Sequence, residues 1–216
     1  LEHHMLNPKT EISVVVPLYN EGPNLLAFFE ELDGAMTTFG KSYEIIFVND
    51  GSIDNSEKIL TDIVKQNKHT QVINLRKNAG KPGALEQGFE LANGNKIVIM
   101  DSDLQYDPKD IQFLIAKIDE GYDVVSGRRV NRADSKNVVL SSRLFRLIVK
   151  KLSGLDFTDY FSGLKCFKSS VISYLGVYGD LNRIFSVYAH RAGFEVCEIP
   201  ITHRPRAQGR SRYAFL

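Results

Sequence analysis

At 216 residues, 43% hydrophobic and 25% charged, the chain is long enough to bury one sizeable α/β core. A formal net charge of +1 argues against a general nucleic-acid binder. No stretch approaches the roughly 18–20 consecutive apolar residues that span a bilayer, and no signal-peptide pattern is present.

Leu1-Glu2-His3-His4 before Met5 reads as a tag remnant and is left out of the fold reasoning. From there, strands alternate with helices. A β-branched run at 12–16 predicts a strand, and 23–39 carries helical periodicity through Leu25, Leu26, Phe28, Phe29, Leu32 and Met36. Residues 44–48 predict a second strand, and Asp54 is the expected N-cap of a helix through Ile59, Leu60, Ile63 and Val64. A strand at 71–75, a helix at 83–92 and a strand at 96–100 follow. Asp107-Pro108 opens a helix through Ile111, Leu114, Ile115 and Ile118, with Pro in the first turn. Phe28, Phe29, Phe113 and Leu114 are expected to be core residues. After a strand at 123–126, the pattern predicts a helix at 138–152, strands at 163–167 and 194–201, and a helix at 182–192. This alternation implies βαβ units, a mainly parallel sheet and helices on both faces. One domain is expected over 5–216, with a nucleotide-binding half near 10–105 and an acceptor-side half near 106–216. Cys166 and Cys197 lack close metal-ligand spacing, so reduced cytosolic thiols are expected.

Polar motifs stand at the ends of the first four strands. Val16-Pro17-Leu18-Tyr19-Asn20-Glu21 follows the first, and Val48-Asn49-Asp50-Gly51-Ser52 the second. Asn78-Ala79-Gly80-Lys81 follows the third, where a Gly-rich turn and a cation suit a diphosphate. Met100-Asp101-Ser102-Asp103-Leu104-Gln105 ends the fourth. Strand carboxyl ends border the ligand crevice of a parallel α/β sheet. Two acids there suit a hard divalent cation that also holds phosphate oxygens, although a lone Asp-x-Asp is more often a solvated turn. Neither Gly-x-x-x-x-Gly-Lys-Ser/Thr nor Gly-x-Gly-x-x-Gly is present, which disfavours a P-loop or a dinucleotide-dependent oxidoreductase.

Taken together, these four motifs resemble the family 2 glycosyltransferases of GT-A fold, and most closely the polyprenyl-phosphate branch. Gly127-Arg128-Arg129, Gly163-Leu164-Lys165-Cys166-Phe167 and Arg206-Ala207-Gln208-Gly209-Arg210-Ser211-Arg212 extend the resemblance over roughly residues 10–214. The resemblance implies that Pro17, Tyr19, Glu21, Val48 and Asp50 hold the nucleoside of an NDP-sugar, with Gly80, Lys81 and Ser102 beside them. It implies Mg2+ or Mn2+ on Asp101 and Asp103, with Gln105 as a further ligand. Arg129 would face the donor diphosphate or the acceptor phosphate, and Arg206 and Arg212 would close over them. Many relatives carry Lys at the position of Arg212, and His where Asn182 precedes Arg183, so no role is carried over to Arg183. The implied reaction is inverting transfer by single displacement. Asp103 acts there as a metal ligand, not a nucleophile, because a polyprenyl phosphate is already anionic near neutral pH.

Between Arg128 and Lys151 stand eight Lys or Arg against one acid, Asp134, and four Arg lie between His203 and Arg212. Alone, such segments are most often solvated faces. The resemblance favours an interfacial helix at 138–152 resting on an anionic membrane surface, against a core-packed helix with snorkelling cations. An RNA-binding arm is disfavoured, because aromatic residues near the last Arg cluster are confined to Tyr213 and Phe215. His69, His190 and His203 have no ligand spacing and are expected to be structural. The expected location is the cytoplasmic face of a membrane. Relatives often continue into membrane helices, which this sequence does not contain. Three competing functions remain. A family 2 transferase acting on a hydroxyl acceptor would need Asp156 or Asp159 as base. A nucleotide-binding module without activity would keep the cleft alone. Processive synthesis is disfavoured by the absence of Trp. The donor sugar, the base and the oligomeric state stay open.

Overall fold

Strand alternation decides which side chains meet which helices. A computed structural model describes residues 10–130, 147–176 and 184–205, apart from Ile148 and Leu152. In chain order the elements are β1 (Ile12–Leu18), α1 (Gly22–Phe39), β2 (Tyr43–Asn49), α2 (Ser56–Gln66), β3 (Thr70–Asn74), α3 (Gly80–Leu91) and β4 (Lys96–Ile99). A 3-10 turn at Pro108–Asp110 leads into α4 (Ile111–Asp119), followed by β5 (Val124–Arg129) and β6 (Lys165–Lys168). The helices here numbered α5 (Ser169–Leu175) and α6 (Phe185–Arg191) precede β7 (Val196–Ile201).

The strands form one seven-stranded sheet in the order β3-β2-β1-β4-β6-β5-β7. β1 pairs in parallel with β2 and β4, β2 with β3, and β5 with β7. β6 alone runs antiparallel, wedged between β4 and β5. Successive residues of a strand face opposite sides, so Val14 and Val16 pack with Leu25, Phe28 and Leu32 of α1, and with α4. Val15, between them, packs with Ala84 and Leu85 of α3, as do Ile46 and Val48. A sheet buried on both faces by helices needs such near-continuous apolar strands.

Several expectations shift. α2 starts at Ser56 with Asn55 in the cap position, while Asp54 Oδ1 accepts from Ser56 N at 3.0 Å. α3 begins at Gly80, three residues earlier than expected, so Gly80 and Lys81 belong to its first turn. The expected strand at 163–167 is β6, whose pairing begins only at Lys165, and it leads directly into α5, which periodicity did not predict. Phe113 and Leu26 are more than half exposed. Ile111, Leu114, Ile115 and Ile118 already fill the buried stripe of α4, and Phe113 falls outside it. Phe28 and Leu114 are buried as expected, and Phe29 packs at the core margin. Of the helix expected at 138–152, only residues 147, 149, 150 and 151 are described as helical, and the rest lies outside the described residues. So do 177–183, and with them Asn182 and Arg183. Among the described residues, no helix is long and apolar enough to cross a membrane.

α3 approaches the sheet closely at Gly88, where a Cβ would lie 2.4 Å from Val15 Cγ1 and 3.1 Å from Val48 Cγ2. Both contacts are stiff β-branched side chains, so the helix itself must move. Gly88→Ala is expected to lower stability by about 1–3 kcal/mol despite the better helix former, read as a lower urea midpoint.

Candidate active site

Parallel strands deliver their carboxyl ends to one edge, and there the four polar motifs converge. A cleft of about 330 Å3 is lined by Pro17, Leu18, Tyr19 and Glu21 from the β1 exit, and by Asn78, Gly80 and Lys81 at the start of α3. Asp101, Ser102 and Asp103, just past β4, complete it. Val48 does not line it; its side chain is wholly buried against α3. A larger hollow of about 460 Å3 lies between α1 and Arg204. Its carboxylates Glu31 and Asp107 are each already paired with Arg204 at 2.7 Å, so the smaller cleft is the stronger candidate.

The cleft floor is built by side chains that tie one turn to the next. Asn20, in the left-handed region at φ 54°, donates its N–H to Ser52 Oγ at 2.8 Å and accepts from Ile53 N at 2.7 Å. Asp54 Oδ2 accepts from Gly22 N at 3.1 Å, joining the starts of α1 and α2. Gly51 is needed twice over. Its φ is +66°, and a Cβ there would lie 2.6 Å from the Lys77 carbonyl carbon. Asp50, only 2% exposed, accepts from Ala79 N at 2.6 Å through Oδ1. Its Oδ2 is buried and finds no partner among the described residues. Native structures rarely leave a buried acceptor so. Burial pushes the Asp50 carboxyl above its ordinary value, against the opposing N–H groups of Ala79 and Gly80.

At the β4 end, Asp101 forms an ion pair with Lys81 of α3. Asp103 is nearly buried and its Oδ1 accepts from Gln105 N at 3.2 Å. Leu104 between them holds φ at +61°, a conformation costing a non-glycine residue about 1–3 kcal/mol, so the surrounding contacts must enforce this turn. Gly163, arriving from before β6, backs the pair. A Cβ there would lie 2.1 Å from Asp101 Oδ2. Gly163 N donates to the buried Tyr106 hydroxyl at 2.7 Å, and burial with the nearby Asp101 charge pushes that phenol up to about 12. Gln105, expected as a metal ligand, turns its amide nitrogen to Arg204 O at 3.4 Å. Among the described residues, no three His, Cys, Asp or Glu side chains gather into a metal cluster. Two carboxylates with the room kept by Gly163 nonetheless fit a hard divalent ion that takes its remaining oxygens from a ligand.

Arg129, at the end of β5, is held in a fork. Its Nε donates to Asp159 Oδ2 at 2.6 Å and its Nη2 to Oδ1 at 2.8 Å, with its own backbone N–H also on Oδ2 at 3.2 Å. Asp159 is 3% exposed. Glu198 on β7 accepts from Thr158 N, Thr158 Oγ1 and Asp159 N and so holds this loop. With both oxygens engaged by Arg129, Asp159 acts as an orienting partner and is a poor base. Asp156 accepts from Lys150 at the surface. Arg206 and Arg212 lie outside the described residues. The chain leading towards them is pinned beside the acid pair: Thr202 N donates to Asp110 Oδ2 at 2.6 Å, His203 bridges Tyr106, and Arg204 N donates to Gln105 O at 2.8 Å. The carboxyl edge thus gathers the predicted Pro17, Tyr19, Glu21, Gly80, Lys81, Asp101, Ser102 and Asp103 around one cleft, with Asp50 tied beside it through Ala79. Gly163 and Tyr106 were not assigned to it from sequence, and Asp159 was offered only as the base for a hydroxyl acceptor. Gly163 lies in a quoted motif, but nothing local reveals what it touches.

Glycosyl transferase family 2 is matched over residues 13–174. The chain is 33% identical over 97% of its length to an undecaprenyl-phosphate 4-deoxy-4-formamido-L-arabinose transferase of Klebsiella pneumoniae, and 32% identical to the same-named protein of a second strain. It spans 64% of the length of each. Among solved structures it is similar to glucosyl-3-phosphoglycerate synthase from Mycobacterium tuberculosis in complex with Mn2+ and UDP-Glc. The TM-score is 0.67 and the identity 19%, over 91% of this chain and 72% of that one. A mannosyltransferase from Pyrobaculum calidifontis in complex with GDP-Man and Mn2+ aligns with TM-score 0.63 and 17% identity, over 89% of this chain and 55% of that one. These structural likenesses show a shared GT-A fold, as the sequence resemblance implied.

Two stability measurements test this geometry. Because burial raises the Asp50 carboxyl, the native state holds that proton more tightly than the unfolded chain does. Its contribution to stability therefore falls as pH rises through the raised value. Asp50→Asn is expected to gain stability relative to the parent as pH goes from about 4 to 7, read by thermal melts. Asp159→Asn strands the Arg129 guanidinium, whose side chain is 15% exposed. It should cost about 3 kcal/mol or more in urea unfolding.

Proposed function

We propose that this chain, which belongs to glycosyl transferase family 2, moves one sugar with inversion from a UDP- or GDP-linked donor to a polyprenyl phosphate. The observation that carries this reading is one strand-end cleft that holds Lys81 and the Asp101–Asp103 pair, with the buried Asp50 and its unpartnered oxygen tied beside it through Ala79. Asp50 Oδ2 accepts an N–H of the base, and Pro17, Tyr19 and Glu21 form the wall beside it. Gly80 and Lys81, in the first turn of α3, face the diphosphate, where a helix N-terminus favours negative charge. Asp101 and Asp103 hold Mg2+ or Mn2+, with Gln105 a further ligand if its amide oxygen turns inward. When bound, that ion offsets the negative charge developing on the leaving nucleoside diphosphate.

Arg129, oriented by Asp159, presents its cationic edge to the donor diphosphate or the acceptor phosphate. Arg206 and Arg212 add two more cations over the phosphates. The Arg129–Asp159 fork also supports the phosphate acceptor over a hydroxyl one. A hydroxyl needs a free carboxylate to take its proton, and the Asp159 oxygens are occupied by Arg129. A lipid phosphate carries its own charge and needs none. The names of the Klebsiella relatives support the same acceptor. Such a lipid substrate and the basic residues of 128–151 support a site at an anionic membrane surface, on its cytoplasmic side in this reading.

A panel of UDP- and GDP-sugars with Mn2+ and a short polyprenyl phosphate, read by mass spectrometry of the lipid product, tests the reading. Transfer is expected to the phosphate and not to the matching alcohol or to an oligosaccharide. Asp101→Asn and Asp103→Asn should each lower kcat/KM by about 100-fold or more. A trapped glycosyl-enzyme, or full transfer by Asp103→Asn at saturating Mn2+, would overturn it.

A further inference from the structure

Lys165 is a lysine where packing alone calls for none. It is the first residue of β6, in register with Ile99 of β4 on one side and Ser126 of β5 on the other, and it is 3% exposed. Its Nζ donates to the backbone carbonyls of Tyr160, at 3.3 Å, and Ser162. Both carbonyls belong to the loop 159–163 that enters β6. This loop bears Asp159, which forks onto Arg129, and Gly163, which lies against the Asp101 carboxylate. The charges around the amine alternate. Lys81 and Arg129 disfavour its positive form, and Asp159 and Asp101 favour it. Burial, reinforced by Lys81, pushes the amine down to about 7. A methionine would fill the same slot at no such cost, so an amine here must be doing what an apolar side chain cannot, which is donating to two carbonyls.

We propose that Lys165 is a positioning residue that pins the 159–163 loop by its carbonyls, and through it sets two ends of the site at once. At one end Gly163 confines the Asp101 carboxylate, and at the other Asp159 fixes the Arg129 fork. The pin stands on the geometry alone; only the task of its two ends, holding a metal-bound diphosphate and a phosphate, rests on the function proposed above. Lys165 is not among the residues that line the cleft. Its action is indirect, as with the outer partners that orient metal-binding carboxylates.

The test compares the parent with Lys165→Met, which keeps the length and volume and removes the donor. Hydrogen exchange of the amides in 159–164 reads the pin directly, and is expected to speed up about tenfold or more in the variant, with distant strands unchanged. Calorimetric binding of UDP and of GDP, each with and without Mn2+, reads the consequence. Lys165→Met should keep metal-free nucleotide affinity within about twofold, and should lose about tenfold or more of the strengthening that Mn2+ brings. Unchanged exchange in the loop overturns the pin. Faster exchange with an intact Mn2+ effect overturns the positioning role. Faster exchange in a protein whose parent binds neither nucleotide leaves the pin standing and overturns the proposed function instead. Should Lys165→Met fail to fold, Gly163→Ala perturbs the Asp101 end of the same loop directly. It is expected to lose the same Mn2+ increment, and parent-like Mn2+ dependence in that variant would overturn the proposal.

Discussion

Everything at this site depends on parallel pairing. β1 lies in parallel register between β2 and β4, so Leu18, Asn49 and Ile99 end on one side of the sheet. Each βα unit must then return its next turn to that same edge. Polar groups that cannot sit within the buried strands accumulate where the strands stop. The cleft is therefore a product of topology before it is a product of any one residue. The chemistry enters through which side chains those turns carry, and through how firmly each turn is tied to its neighbour.

That tying is done mostly by carboxylates and amides that are not part of the cleft lining. Asp54 joins two helix starts, Asn49 bonds to Asn74 at 2.9 Å, and Asp50 reaches across to Ala79. The arrangement leaves Asp50 with one oxygen committed to the protein and one held in reserve. A buried carboxyl so treated lowers stability while fixing the turn at Ala79. Leu104, strained between Asp103 and Gln105, is the same bargain made in the backbone. Near β6 two ion pairs stand on either side of Lys165: Lys81 with Asp101, and Arg129 with Asp159. The two pairs store no net charge, and every member is fixed by an opposite neighbour.

Much of this was legible in the residues. The β-branched runs located the strands, the i, i+3, i+4 spacing located α1 and α4, and the polar exits marked Asp50, Lys81, Asp101 and Asp103 as neighbours. Packing decided matters on which local pattern has no authority. Phe113 looks like a core residue in sequence, but the buried stripe of α4 was already complete without it. Val48 was assigned to the nucleoside because of its motif, yet strand alternation turns it towards α3. Asp159 offered itself as a base, and only its fork with Arg129 shows that its oxygens are engaged.

By itself the sequence determined the sheet's mainly parallel character and the shared edge of the four strand-end motifs, because each motif follows its own strand and parallel crossovers admit one placement. Only tertiary structure decided what stands behind them. Arg129 meets Asp159 across 30 residues and Gly163 meets Tyr106 across 57. Both contacts exist because the lone antiparallel strand β6 inserts between β4 and β5. No local propensity encodes that insertion. It is the packing of β6 into the sheet that carries the 159–163 loop under the acid pair and makes Lys165 the point where its two sides meet.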